Sequence, residues 1–239
     1  MIDIHSHLIP NVDDGSASIE ETVKMIEEAR QAGFTDIILT SHYMEESYEP
    51  EEEIIELWTE QLQKVIDNQS IEIKLYTGNE VYITENVIEL LKSNKIATLA
   101  NSRYLLVELP LNSNVKYAEE VIFHLKSLGI IPIIAHPERY SYVQKDITEV
   151  EKLIKQGCLI QSNFGSIIGI YGKEAKKTLY KLLKQDLVHF LGSDCHKPNT
   201  IYQNMKKIMK ELNKTISREQ IYKITVKNPK MILEDKYEF

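Results

Sequence analysis

Two imidazoles, His5 and His7 in Met1-Ile-Asp-Ile-His5-Ser-His7, and the adjacent carboxylates of Asp13-Asp14-Gly15 stand within the first 15 residues. Side chains two apart on a strand face the same way. His5 and His7 at a strand end can therefore converge on one point beside a carboxylate loop. Paired imidazoles next to acids suit a divalent metal. Alone, the pair fits a solvent-facing strand edge equally well. Similar residues recur where later apolar runs end: His42 in Leu39-Thr-Ser-His42, Glu80 in Tyr76-Thr-Gly-Asn-Glu80 and Glu108 in Leu105-Leu-Val-Glu108. His136 follows Ile133-Ile-Ala135, and Asp194 and His196 lie in Gly192-Ser-Asp-Cys-His196. A carboxylate buried where Glu108 stands is costly unless it is paired or metal-bound. Five imidazoles and four carboxylates (Asp14, Glu80, Glu108, Asp194) exceed the needs of one ion and suffice for two or three. Mixed imidazole and carboxylate ligation suits Mn, Fe or Zn better than Mg or Ca.

The elements that must position these residues alternate. Strands are expected at 1–5, 35–40, 71–78, 104–108, 131–135, 158–162 and 187–192. Helical patterns fill 18–32, 51–68, 115–128, 147–156, 173–185 and 200–213. Gly33, Gly129 and Gly157 break the chain just before three of the apolar runs, as glycine does after a helix. Strands alternating with helices predict a parallel α/β fold, either a barrel or a doubly wound open sheet. In both, active sites gather at the carboxyl ends of the strands. No Pro/Gly/Ser-rich linker divides the chain, so a single domain over 1–239 is expected.

The chain has 239 residues and a formal net charge of −8. No basic face is implied, which argues against nucleic acid as a partner. Bound cations can reverse the sign inside a site whatever the global charge. The two cysteines, Cys158 and Cys195, predict a reducing compartment rather than a disulfide scaffold. No signal pattern is present, and no apolar run approaches the roughly 20 residues that span a bilayer. A cytoplasmic protein without membrane insertion is expected. His124 falls in a helical run and reads as a surface residue. His189 lies inside a strand and reads as core or support. Tyr140 and Tyr142 either cover the barrel rim or stack on an aryl group.

Together these stretches resemble the PHP (polymerase and histidinol phosphatase) superfamily. Within it they are similar to the bacterial metal-dependent protein-tyrosine phosphatases of capsule and exopolysaccharide loci. The similarity runs in order from residue 1 to about residue 233, through Ile134-Ala-His-Pro-Glu-Arg139 and Ser193-Asp-Cys-His196. It implies a distorted parallel (β/α)7 TIM-like barrel and a three-metal site, manganese first, with Fe, Co or Zn as alternatives. By the same resemblance His5, His7, Glu80 and Asp194 hold one ion. Glu80, bridging, with Glu108 and His136 holds a second. Asp14, chosen over Asp13, holds a third with His42 and His196. Arg139 matches an arginine that contacts the substrate phosphate. Relatives carry a second arginine where this chain has Ile201, and Lys197 could replace only part of its charge.

The implied reaction is metal-assisted hydrolysis of a phosphotyrosine monoester, with Arg139 on the phosphate and His42 or His196 as a proton source if not committed to metal. The implied substrate is a bacterial tyrosine autokinase of polysaccharide export. A cysteine-based mechanism needs an arginine six positions after the nucleophile. Phe164 and Ile201 stand there instead. Rival readings are a small-molecule phosphatase, such as one for histidinol phosphate, a non-catalytic kinase-binding regulator and a PHP exonuclease.

Overall fold

In the computed structural model, which describes residues 1–237, seven strands form one sheet in chain order and all neighbours are parallel. They are β1 (Ile2–Asp3), β2 (Asp36–Tyr43), β3 (Lys74–Tyr82), β4 (Tyr104–Glu108), β5 (Ile131–Ile134), β6 (Leu159–Asn163) and β7 (Phe190–Gly192). The longer connecting helices are α1 (Ile19–Gln31), α2 (Glu52–Asn68) and, after the short α3 (Val87–Lys92), α4 (Tyr117–Ser127). Then come α5 (Ser141–Lys145), α6 (Thr148–Lys155), α7 (Phe164–Ile168), α8 (Lys173–Lys184), α9 (Met205–Thr215), α10 (Arg218–Tyr222) and α11 (Asn228–Leu233). A bridge between Ser6 and Cys195 curls the sheet into a nearly closed barrel. Asp194 N donates to His5 O at 2.8 Å and His7 N to Cys195 O at 3.0 Å across that seam.

The breaks foreseen at Gly33, Gly129 and Gly157 are left-handed helix ends, with φ of +89°, +80° and +89°. After each, the next amide returns to a helix carbonyl: Phe34 to Ala29, Ile130 to Leu125 and Cys158 to Leu153. That pairing stops the helix and aims the chain back into the sheet. Asp186, at φ +55°, does the same after α8.

Alternation gives each strand one inward face. Low in the barrel that face is apolar: Ile38, Leu106, Ile133, Leu159 and Phe190 pack with Ile2, Ile4, Leu99 and Ile232 of α11. Two or four residues further along, the same faces present His42, Glu108, Gln161, Asn163 and Asp194. The barrel is thus plugged at one end and polar at the other.

β1 and β7 are shorter than the expected 1–5 and 187–192, and β2 and β3 run past their expected ends. β2 and β3 stay paired as far as Tyr43 and Val81, so His42 and Glu80 sit opposite each other within the ladder rather than beyond it. Polar side chains do not end these strands, because they point into the polar mouth. The Ile71–Ile73 run closes α2 instead, with Ile71 N donating to Ile66 O at 3.0 Å. The residues ahead of α9 form a 3-10 turn over Tyr202–Asn204. The elements α3, α5, α7, α10 and α11 have six residues or fewer, too few to show a helical period.

His189 is a backbone partner. Its Nδ1 accepts from Ile160 N at 3.1 Å, extending the β6–β7 pairing. Burial, aided by Lys223, lowers its pKa to about 4. The unfolded chain binds this proton below about pH 6.5, whereas the folded chain resists it until about pH 4. Stability therefore falls as pH drops through that window and levels off below it. The expected loss is at most roughly 3 kcal/mol. Denaturant titrations of the wild type and His189→Gln at pH 7 and pH 4.5 check this, since only the variant should lack the increment.

Candidate metal centre

His5 Nε2 and His7 Nε2 lie 3.1 Å apart. The other nitrogen of each ring is already committed. His5 Nδ1 donates to Gln161 Oε1 at 3.0 Å, and His7 Nδ1 to Asp13 Oδ2 at 2.9 Å. In neutral rings both Nε2 lone pairs then face the same point, which is repulsive unless a cation sits there. Glu80 completes the picture. Its Oε2 is 3.2 Å from His5 Nε2, 3.3 Å from His7 Nε2 and 3.1 Å from His42 Nδ1. This atom is buried and has no hydrogen-bond partner among the described residues. Its Oε1 is 2.9 Å from His136 Nε2, which is also 3.7 Å from Glu108 Oε1. Asp194 Oδ1 is 3.4 Å from His5 Nε2 and 3.5 Å from His7 Nε2. Asp14 Oδ1 is 3.6 Å from His42 Nε2 and 3.4 Å from His196 Nε2.

All nine residues singled out from the sequence come together here. Three groups bring ligand atoms within 4.8 Å of one another: His7, Asp14, His42 and His196; His5, His7, Glu80 and Asp194; and His42, Glu80 and Glu108. His136 lies against the last group through Glu80 and Glu108. An orphaned buried carboxylate oxygen ringed by imidazole nitrogens fits a divalent ion, as does the donor set.

Charge balance makes the same demand. Burial pushes His5 down, yet Glu80 and Asp194 outweigh it and raise the imidazole to about 9. His7 is likewise raised well above its ordinary value, by Asp13 and Glu80 against burial. Burial would raise Glu80, but His5 and His42 hold it well below the usual carboxylate range. Arg139, paired with Asp194, supplies one cation, and protons on His5 and His7 or metal ions in their place supply the rest. His42 runs the other way: burial and His7 lower it to about 4. His196 is also lowered, by burial and His7. Both shifts suit neutral ligands and work against proton donation.

The backbone is shaped to admit these side chains. A Cβ on Gly15 would lie 2.2 Å from His7 O, and one on Gly192 would lie 2.7 Å from His5 Cβ. His136 and Asp194 adopt positive φ of +33° and +52°. Such strain in non-glycine residues persists where surrounding contacts hold it, typically at functional sites. Asp13 accepts from Gly15 N and His42 N, each at 2.9 Å, as well as from His7. It orders the loop, leaving Asp14 to face His42 and His196.

Arg139 Nη1 donates to Asp194 Oδ2 at 2.8 Å. Tyr140 is fully buried; its hydroxyl donates to Ala135 O at 2.6 Å and accepts from Leu109 N at 2.9 Å. Tyr142 stacks on it with ring centroids 5.5 Å apart, so the pair supports the rim. Lys197 Nζ donates to Gly15 O at 2.5 Å, and Ile201 is buried. Cys195 Sγ lies 3.8 Å from Met25 Sδ, inside the core. His124 is exposed on α4, 3.7 Å from Glu120.

Sequence reasoning missed Gln161 and Asn163. Gln161 Oε1 accepts from His5 Nδ1 and from His136 N at 3.2 Å, and its Nε2 donates to Asn163 Oδ1 at 2.8 Å. Asn163 Nδ2 then donates to Asp194 Oδ2 at 2.6 Å. The available signal was the polar Gln161-Ser-Asn163 ending β6, where no ligand had been assigned.

The family model for capsular polysaccharide synthesis, CpsB/CapC, matches residues 1–234. The chain belongs to the CpsB/CapC family. Tyrosine-protein phosphatase YwqE of Bacillus subtilis is 30% identical, over 98% of this chain and 92% of its own length. Tyrosine-protein phosphatase CpsB of Streptococcus agalactiae is 30% identical, over 99% of this chain and 100% of its own. A chain from the crystal structures of YwqE from Bacillus subtilis and CpsB from Streptococcus pneumoniae, described as unique metal-dependent tyrosine phosphatases, superposes with a TM-score of 0.94 at 30% identity. It covers 100% of this chain and 96% of that one. A lactonase from Listeria monocytogenes shares the CpsB/CapC barrel at a TM-score of 0.63 and 14% identity, a likeness of fold alone.

Proposed function

We propose that this CpsB/CapC chain is a metal-dependent protein-tyrosine phosphatase, folded as a single PHP-type domain. The observation that carries the reading is Glu80 Oε2, buried, unpartnered and met by nitrogens of His5, His7 and His42 within 3.3 Å. Three divalent ions fit the donor set, manganese first. His5, His7, Glu80 and Asp194 would hold one; Glu80, Glu108 and His136 a second; Asp14, His42 and His196 a third. Bound there, such ions lower the pKa of coordinated water towards about 7 and offset phosphate charge.

The chain's own residues do the rest. Asp13 and Gln161 hold the Nδ1 protons of His7 and His5, so that both Nε2 atoms face inward and would be the ones to give up their protons to a metal. Arg139 meets the phosphate oxygens with its guanidinium and adds positive charge as the transition state forms. The departing phenolate has a pKa near 10, so it leaves with little help from an acid. That agrees with the lowered pKa values of His42 and His196.

The physiological substrate is a phosphotyrosine protein, in our reading a tyrosine autokinase of capsule or exopolysaccharide export. No helix among the described residues is long and apolar enough to cross a membrane, and we place the enzyme in the cytoplasm beside such a kinase. The test is a substrate panel with the manganese-loaded protein. Phosphotyrosine peptide is expected to exceed histidinol phosphate at least about tenfold in kcat/KM, a difference of roughly 1.4 kcal/mol. The opposite order, or no release of phosphate from the peptide, overturns the reading.

A further inference from the structure

We propose that Tyr171 is the positioning residue for Arg139, its ring fixing the plane of the guanidinium that meets the substrate phosphate. The inference rests on the role given to Arg139 above.

The guanidinium carbon lies 4.6 Å from the centre of the Tyr171 ring. Asp194 holds one edge of the same group, with Nη1 donating to Oδ2 at 2.8 Å. Tyr171 donates its hydroxyl to that oxygen at 3.1 Å, and Asn163 Nδ2 reaches it at 2.6 Å. One carboxylate oxygen thus gathers three donors, while Oδ1 faces the imidazoles. Among the described residues nothing accepts from Arg139 Nε or Nη2. That edge is the fork that pairs with two phosphate oxygens. Face and edge are both fixed, so the fork points one way before substrate arrives.

The shelf is built into the backbone. α7 ends at Gly169, φ +85°, and Gly172 N returns to Gly169 O at 3.1 Å, bringing Tyr171 back onto α7. A Cβ on Gly165 would lie 2.9 Å from Tyr171 Cε2 and 3.0 Å from Ile201 Cδ1. A side chain at residue 165 would press on the ring and force it to shift, and buried Ile201 packs against the same glycine. Lys197, tied to Gly15 O, does not take over the task.

Calorimetric titration of inorganic phosphate into the manganese-loaded protein tests this without requiring turnover. Tyr171→Leu is expected to weaken phosphate binding about tenfold, as loss of a partly desolvated cation–π contact does. Tyr171→Phe keeps the ring and should stay within about threefold of wild type. In an Arg139→Ala background, Tyr171→Leu should add less than about twofold, because the partner is already gone. With phosphotyrosine peptide, the loss should fall on KM more than on kcat. Manganese content and circular dichroism check folding. If the leucine variant fails to fold, Gly165→Ala, which crowds the ring, carries the same expectation and the same cycle with Arg139→Ala. A tenfold loss that persists without Arg139 overturns the proposal. So does a phenylalanine variant as weak as leucine, or a wild type that binds no inorganic phosphate. A wild type that binds phosphate but leaves phosphotyrosine peptide intact overturns the proposed function alone.

Discussion

Glu80→Gln is expected to leave a folded barrel that has lost metal and hydrolyses phosphotyrosine peptide at least about a thousandfold more slowly, some 4 kcal/mol of transition-state stabilisation. The substitution changes one atom and the charge, so shape is preserved. What it removes is the anionic oxygen on which nitrogens of His5, His7 and His42 converge at 3.1–3.3 Å, together with the partner of His136 at 2.9 Å. An amide offers one weak acceptor and a donor there, and the donor faces ring nitrogens. Because Glu80 touches two of the three ligand groups, both should be depleted. Metal analysis by plasma emission, beside kcat/KM, reads the effect. Full metal content with activity within tenfold of wild type would remove Glu80 from the centre.

Removing metal with a chelator should abolish turnover, by about a thousandfold or more, and returning manganese should restore it. The same treatment should lower stability. Ligands saturating at a thousand times Kd stabilise by about 4 kcal/mol, so thermal unfolding should drop by roughly 10 °C. The folding of the site explains why. Four carboxylates and five imidazoles converge, and without metal their charge is left to Arg139 and to protons on His5 and His7. Full activity in a protein shown to be metal-free contradicts the mechanism outright.

Most of the ligand set was legible in the sequence because its members stand at or just past the ends of apolar runs; for Glu108 and His136 the run is apolar up to the residue itself, a conflict that burial resolves only through pairing. Asp14 against Asp13 rested on resemblance alone. The structure gives a physical difference: Asp13 is tied to three donors, whereas Asp14 faces two imidazoles. Gln161 and Asn163 went unread because uncharged amides at a strand end look like ordinary turn residues. Tyr171 left no signal at all. Its meaning depends on Gly165 and Arg139, which only the fold brings to it. Strand limits slipped for a related reason. The alternation of β2 and β3 continues through His42 and Glu80, but polar residues read as the end of a strand when the barrel mouth is unseen.

The seam between β7 and β1 has a consequence for how the barrel holds its size. Its backbone hydrogen bonds run from Asp194 N to His5 O and from His7 N to Cys195 O. Three of those four residues also carry side chains of the metal centre, so the bonds that close the barrel also set the spacing of His5, His7 and Asp194. A change in the seam would therefore move three of the nine ligand residues together. The closure of the barrel and the assembly of the centre are thus one folding event rather than two.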